Sequence, residues 1–387
     1  MRFILTILAL LTAMPAHASG RLASDWFALG ERALQHWSVS QPDPADDRRL
    51  LIQRKESIAG PLRRVMVIYP RKSSAYDTAM TAILADFAAR RLSVEFVAVN
   101  YDTDARRGAA LLDEAKRDGV ALLYAMGSET VDWMYQKHRD IAIPVVTVCA
   151  KDPVQLGQMP DYESGSGNSF AFTSLNPLLE VQIEYLREMK PQLKNIAILV
   201  DAKNASAVET QARPLAEALS RQGVTVLDVA VTDPVQARQQ LAGLVSQAVA
   251  QMRQTDPTLE HSLFWITGST SVFAEIATIT AHSNRVPVLS AVPEVVQAGR
   301  DSAVLSIGVS FESNARLAAV YGAEILGGRK AGEMKVGVVS PPDIAVNFRR
   351  AREIGLKIPF AFFEAASFIY DAEGRPVRAD GQDMTAR

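Results

Sequence analysis

The chain has 387 residues, 48% hydrophobic and 22% charged, with 41 Lys+Arg against 43 Asp+Glu and a formal net charge of −2. These proportions exclude a largely disordered chain, and the charge balance lacks the basic excess of a dedicated nucleic-acid binder. A single cysteine excludes an intramolecular disulfide framework and any multi-thiolate metal site.

At roughly 150 residues per domain, the length predicts two domains with an extra segment. Arg2 precedes an apolar run from Phe3 to Ala13, broken only by Thr6 and Thr12, and Pro15-Ala16-His17-Ala18-Ser19 follows. One positive charge, a short apolar core and an A-x-A ending are the parts of a secretory signal peptide. The run is shorter than the roughly 20 apolar residues that span a bilayer. Cleavage after Ala18 is expected, with release to the periplasm if the host is Gram-negative. Residues 19–60 read as an N-terminal helix and linker. Leu22 to Trp37 has helical spacing in Trp26, Leu29, Leu34 and Trp37, and Ser38 to Asp47 is polar and turn-rich.

From Arg64 the pattern becomes regular. Val65–Tyr69, Val94–Val99, Ala121–Ala125 and Pro144–Val148 read as strands. Helical segments at Tyr76–Arg91, Asp104–Arg117 and Val131–His138 alternate with them. After the Gly/Ser-rich stretch Ser164–Ser169, Phe170–Ser174 and a helix from Pro177 to Met189, the alternation repeats. Asn195–Val200, Val224–Val231, Ser262–Ile266 and Val286–Leu289 are strands; Ala207–Gln222, Pro234–Arg253 and Val272–His282 are helices. Short apolar runs alternating with helices indicate parallel sheets covered on both faces. Past Ser302 come a strand at Ala303–Val309, an amphipathic helix at Ser313–Leu326 stopped by Gly327-Gly328, strands at Val336–Val339 and Ile344–Phe348, and a helix near Arg349–Ile354. A segment this late can cross back to the first half. The expected fold is α/β: two doubly wound parallel-sheet lobes joined by hinge strands. Lobe 1 takes 61–172 plus about 308–332, lobe 2 takes 173–307 plus about 333–371, and 372–387 forms a C-terminal tail.

In open α/β sheets, ligands bind outside the carboxyl ends of the strands, where helix N-termini offer free N–H donors. Hydroxyl and amide side chains recur at those turns: Ser73-Ser74 with Tyr76, Gly127-Ser128-Glu129-Thr130, Asn204 with Ser206, and Gly268-Ser269-Thr270-Ser271. The same residues are also common helix caps, which need no ligand. Gly127 and Gly268 would let a ligand approach the backbone. Tyr76, Tyr101, Tyr124 and Phe311 are either ring-stacking groups or core. Lys151-Asp152 is either a cleft salt bridge or a surface turn. Cys149 follows an apolar strand with no histidine at a recognisable partner spacing, so it reads as a small core residue rather than a nucleophile. Glu294 is either a solvated loop carboxylate or a partner for a ligand ammonium.

Signatures of catalysis are missing. The five histidines, His17, His36, His138, His261 and His282, form no H-x-x-x-H pair. There is no G-x-S-x-G elbow, no G-x-G-x-x-G after the first strand and no Walker loop. No enzyme activity, cofactor or metal is expected.

Three stretches carry a resemblance: Pro144-Val145-Val146 through Lys151-Asp152-Pro153-Val154, Gly308-Val309-Ser310-Phe311 with its helix, and Ile344-Ala345-Val346-Asn347-Phe348 through Gly355-Leu356-Lys357-Ile358-Pro359. In their order and spacing, from about Arg64 to Asp371, the chain resembles the substrate-binding proteins of ABC transporters with the type I periplasmic-binding fold. Some members of the branch it resembles most bind aromatic amino acids. The resemblance implies that the turns at Ser73-Ser74, Gly127-Ser128, Asn204–Ser206, Thr267–Ser269, Ser290 and Ser310 line a pocket. The chain departs from many relatives in having Gly268-Ser269 where they carry Asp-Asn. The resulting expectation is a monomeric, exported binder of a small polar or zwitterionic molecule, delivering it to an ABC permease in the inner membrane. A ligand sensor of the same fold, acting on a membrane receptor or kinase through residues 19–60, is the alternative.

Overall fold

In a computed structural model, which describes residues 25–379 and 381–384, two sheets form the centres of two lobes. The signal-like segment Met1–Ala18 lies outside the described residues. No helix among the described residues is long and apolar enough to cross a membrane.

The first sheet contains β1 (Trp37–Ser40), β2 (Arg49–Arg54), β3 (Arg63–Tyr69), β4 (Val94–Asn100), β5 (Leu122–Met126), β6 (Val145–Val148) and β7 (Phe170–Ala171) in the order β1-β2-β4-β3-β5-β6-β7. From β4 to β7 all pairings are parallel. Alternate residues of β3 enter different cores. Val65, Val67 and Tyr69 pack with the Ser74–Ala89 and Phe311–Leu326 helices, while Met66 and Ile68 pack with the Ala105–Arg117 helix. Burial on both faces is why these strands read as unbroken apolar runs.

β8 (Thr173–Ser174) leaves this sheet. The second sheet follows with β9 (Asn195–Asp201), β10 (Thr225–Val231), β11 (Ser262–Ile266), β12 (Val288–Ser290) and β13 (Leu305–Gly308). Beyond them, β14 (Gly337–Val338) pairs in parallel with β8, outside both sheets. β15 (Asp343–Asn347), β16 (Phe368–Tyr370), β17 (Pro376–Ala379) and β18 (Gln382–Asp383) complete the second sheet, in the order β10-β9-β11-β12-β13-β15-β16-β17-β18. β15 runs antiparallel to β13, so the parallel core gains a mixed edge.

The chain crosses between the sheets at Phe172–Leu178, at Gly308–Phe311, and again between β14 and β15. Asn314, fully buried, ties the second crossing to the first. Its Oδ1 accepts from the Cys149 N–H at 2.8 Å, and its Nδ2 donates to the Ser174 carbonyl at 3.1 Å. Nearby, the Ser310 N–H donates to Asp343 Oδ2 at 2.8 Å, joining the second crossing to β15.

Both ends of the chain differ from the sequence reading. The expected Leu22–Trp37 helix shrinks to Glu31–Leu34, and the supposed linker supplies the β1–β2 hairpin, which extends the first sheet antiparallel to β4. Apolar residues at helical spacing are instead used singly. Trp26 packs edge-on against Tyr69 with ring centroids 5.3 Å apart, and Trp37 against Phe96 at 5.4 Å. The helix Ala207–Gln222 begins at Ala205 and contains a π turn at Val208–Ala212. The C-terminal tail is not free, because β17 and β18 add an edge to the second sheet.

Trp37 is fully buried, its indole N–H donates to the Leu84 carbonyl at 2.9 Å, and Arg54 stacks on its ring. Trp37→Ala is expected to cost about 3–5 kcal/mol of stability by denaturant unfolding. A loss within experimental error would show that the hairpin is not integral to the lobe.

Candidate functional site

A cavity of about 700 Å3 lies between the lobes, where the carboxyl ends of both sets of parallel strands face each other. From the first lobe it is lined by Ser73 and Tyr76 after β3, Ser128 after β5, and Lys151 after β6. From the second come Asn204 and Ser206 after β9 and Gly268 after β11, with Phe311 at the second crossing.

Several of these positions are set by local geometry. Gly127 has φ +76°, and a side chain there would collide with the Tyr76 hydroxyl, so only glycine lets Tyr76 lie over the start of the Gly127–His138 helix. Ser128 Oγ accepts from the Lys151 backbone N–H at 3.0 Å, joining the turns after β5 and β6. In the second lobe the Gly268 N–H donates to Gln211 Oε1 at 2.6 Å. Gln211 sits in the π turn, a feature frequent at functional sites.

Lys151 is 6% exposed, and among the described residues no Asp or Glu pairs with its ammonium. Its sequence neighbour is committed elsewhere. Asp152 Oδ1 accepts from the Val154 N–H at 2.9 Å, and Oδ2 accepts from the Tyr162 hydroxyl at 2.5 Å. Lys151 and Asp152 thus form neither a cleft salt bridge nor an exposed turn. Burial pushes the Lys151 ammonium down to about 8. Cys149 is buried at φ +54° and its thiol is pushed up by burial, which keeps it protonated and poorly nucleophilic.

The cavity omits other residues singled out in the sequence. Ser74 starts the helix after Ser73 but does not line the cavity, and Thr130 is fully buried. The Thr267 hydroxyl donates to the Leu199 carbonyl, and Ser269 Oγ accepts from the Asp201 N–H. Ser290 Oγ accepts from the Val292 N–H, and Ser310 Oγ caps its helix by accepting from Ser313. Glu294 is neither solvated nor facing the cavity, since its Oε1 accepts from the Phe311 N–H at 2.8 Å. The hydroxyls of Thr267, Ser269, Ser290 and Ser310 are used up in turns and caps, as their residue types allow without a ligand.

Against this geometry the comparisons are specific. The family model described as ABC transporter substrate binding protein matches residues 84–367. The chain belongs to this family. A tyrosine-binding protein of Clostridioides difficile is 20% identical over 248 residues, covering 64% of this chain and 67% of that protein. The structure of an ABC domain from Streptococcus pneumonia in complex with L-Trp aligns with TM-score 0.64 at 16% identity, over 80% of this chain and 100% of that one. The ligand-free, open structure of a Clostridium difficile substrate binding protein with adhesive properties aligns with TM-score 0.57 at 17% identity, over 77% and 96%. The structural likenesses show the fold: two lobes of the type I periplasmic-binding class.

In this ABC substrate-binding protein, sequence reasoning missed several lining residues. Arg71 pairs with Glu129 at 3.0 Å at the rim of the first lobe. Asp201 and Lys203 line the second lobe beside Thr270 and Ser271 of the turn singled out in the sequence, and the Ser271 hydroxyl donates to Asp201 Oδ2 at 2.6 Å. Asp201 ends β9, so the rule that selected Asn204 reaches it too. Leu156, Leu175 and Phe273 add apolar wall and carry no local signal.

Glu294 holds a further constraint on the crossing. Its Oε2 is buried without a partner, and burial pushes the carboxyl from 4.5 up to about 7, with the Phe311 N–H pulling the other way. The folded chain thus holds a proton between pH 4.5 and 7 that the unfolded chain releases, so this group's contribution to stability falls as pH rises through that window. Glu294→Gln keeps an acceptor for Phe311 and is expected to flatten the slope of melting temperature against pH there. At pH 8 it is expected to stabilise by up to roughly 3 kcal/mol. An unchanged profile would contradict the assignment.

Proposed function

We propose that this protein is the exported solute-binding component of an ABC importer, and that its two lobes close on a small polar or zwitterionic molecule, amino-acid-like or an organic acid. The observation that carries this reading is the shared cavity. Turns after β3, β5 and β6 of one sheet and after β9 and β11 of the other contribute to one space, so a ligand held there touches both lobes. The relatives named for tyrosine and L-Trp support an amino-acid-like cargo. The signal-like segment Met1–Ala18 supports export, and the family supports delivery to an ABC permease.

The work is binding and hinge closure rather than bond chemistry. The ligand drives closure only by as much as it prefers the closed arrangement. The three crossings, held by Asn314 and Asp343, are the segments that would absorb the motion.

A thermal-shift screen against amino acids, organic acids, sugars and nucleosides tests the reading. A ligand at 100 times its Kd adds about 2.7 kcal/mol, enough for a shift of several degrees. Stabilisation by one chemical class, with a smaller radius of gyration in solution scattering, is the expected result. A cooperative melt unmoved by every compound would overturn it.

A further inference from the structure

We propose that the carboxylate of the ligand is seated on the ammonium of Lys151 at the junction of the two lobes. This rests on the solute-binding reading and assigns the residue that holds the ligand's acid group. A buried cation without a counter-ion is costly, because the desolvation penalty is not returned by a partner. The four carboxylates that line the cavity are all engaged elsewhere. Glu129 holds Arg71, Glu209 pairs with Arg213, Asp132 accepts from the Gln136 amide, and Asp201 accepts from Ser271 and from the Lys203 N–H.

The surroundings of Lys151 are built to hold its charge at the interface. The side chain leaves the first lobe, and its Nζ lies against Gly268 of the second, where any side chain would overlap it. The Gly268 N–H is already given to Gln211, so that donor does not compete for the anion. The ammonium is the charged group placed at this point to meet an incoming anion. Burial draws Lys151 down to about 8, which still leaves it mainly protonated at pH 7. Beside it, Tyr76, Leu156, Leu175, Phe273 and Phe311 supply apolar wall, which suits a carboxylate attached to an apolar or aromatic body.

The test uses matched probes on the purified protein at pH 7. L-Tyrosine, L-leucine, 3-phenylpropanoate and succinate are each compared with the corresponding amide. Tyramine, glucose and inosine serve as cationic and neutral controls. Binding is read by calorimetry on the wild type, Lys151→Met and Lys151→Gln. At least one carboxylate is expected to bind, with its amide at least tenfold weaker, as the loss of a charge-assisted bond implies. Both variants are expected to lose that carboxylate by at least tenfold, while their ligand-free melting temperatures match or exceed the wild type, since an unpaired buried charge has been removed. Equal affinity of carboxylate and amide, or of wild type and folded variants, would overturn the proposal. Binding of glucose, inosine or tyramine but of no carboxylate would also overturn it and leave solute binding standing. Silence from every probe would count against the solute-binding reading itself.

Discussion

Parallel strands end together, and that constraint organises this protein. Each parallel sheet brings the turns at its carboxyl ends to one edge. Because the chain crosses between the sheets three times, the two edges face each other across one cavity. The crossings are short, and buried side chains pin them at particular points. Asn314 bonds to Cys149 of one lobe and to Ser174 at the first crossing, and Asp343 holds the Ser310 N–H at the second. A buried backbone left unpaired at these points would cost stability in every arrangement of the lobes.

Charges in the cavity divide by depth. Arg71 and Glu129 pair near the rim with about half of each side chain exposed, where an ion pair adds little. Lys151 is deep and has no acidic partner among the described residues, and the same low dielectric that penalises it would strengthen its attraction to an incoming anion. Glu294 is the opposite case. Its unpartnered oxygen sits behind the second crossing, outside the cavity lining, so its charge acts on the crossing rather than on a ligand.

The alternation of short apolar runs with helices made the two lobes legible, because strands buried on both faces carry few polar residues in their middle. The strand-end rule also located Ser73, Ser128, Asn204, Ser206 and Gly268, which do line the cavity. It could not separate them from Ser269, Ser290 or Ser310, since a hydroxyl that caps a turn and one that faces a cavity are the same residue in the same local sequence. Which is which depends on the approach of the other lobe. The same limit hid Leu156 and Leu175, placed only by tertiary packing. At the N-terminus, Trp26 and Trp37 matched a helical period, yet each is anchored separately in the first lobe, and contacts distant in sequence overrode the local pattern.

The account stands on one claim, that a solute is held by both lobes at once. Hydrogen exchange measured with and without a saturating amount of the most stabilising compound of the thermal-shift panel tests it most directly. Simultaneous protection of Gly127–Thr130 and Lys151 in one lobe and of Gly268–Thr270 in the other is the expected result. Protection confined to a single lobe, or stabilisation without protection at either set of turns, would contradict it.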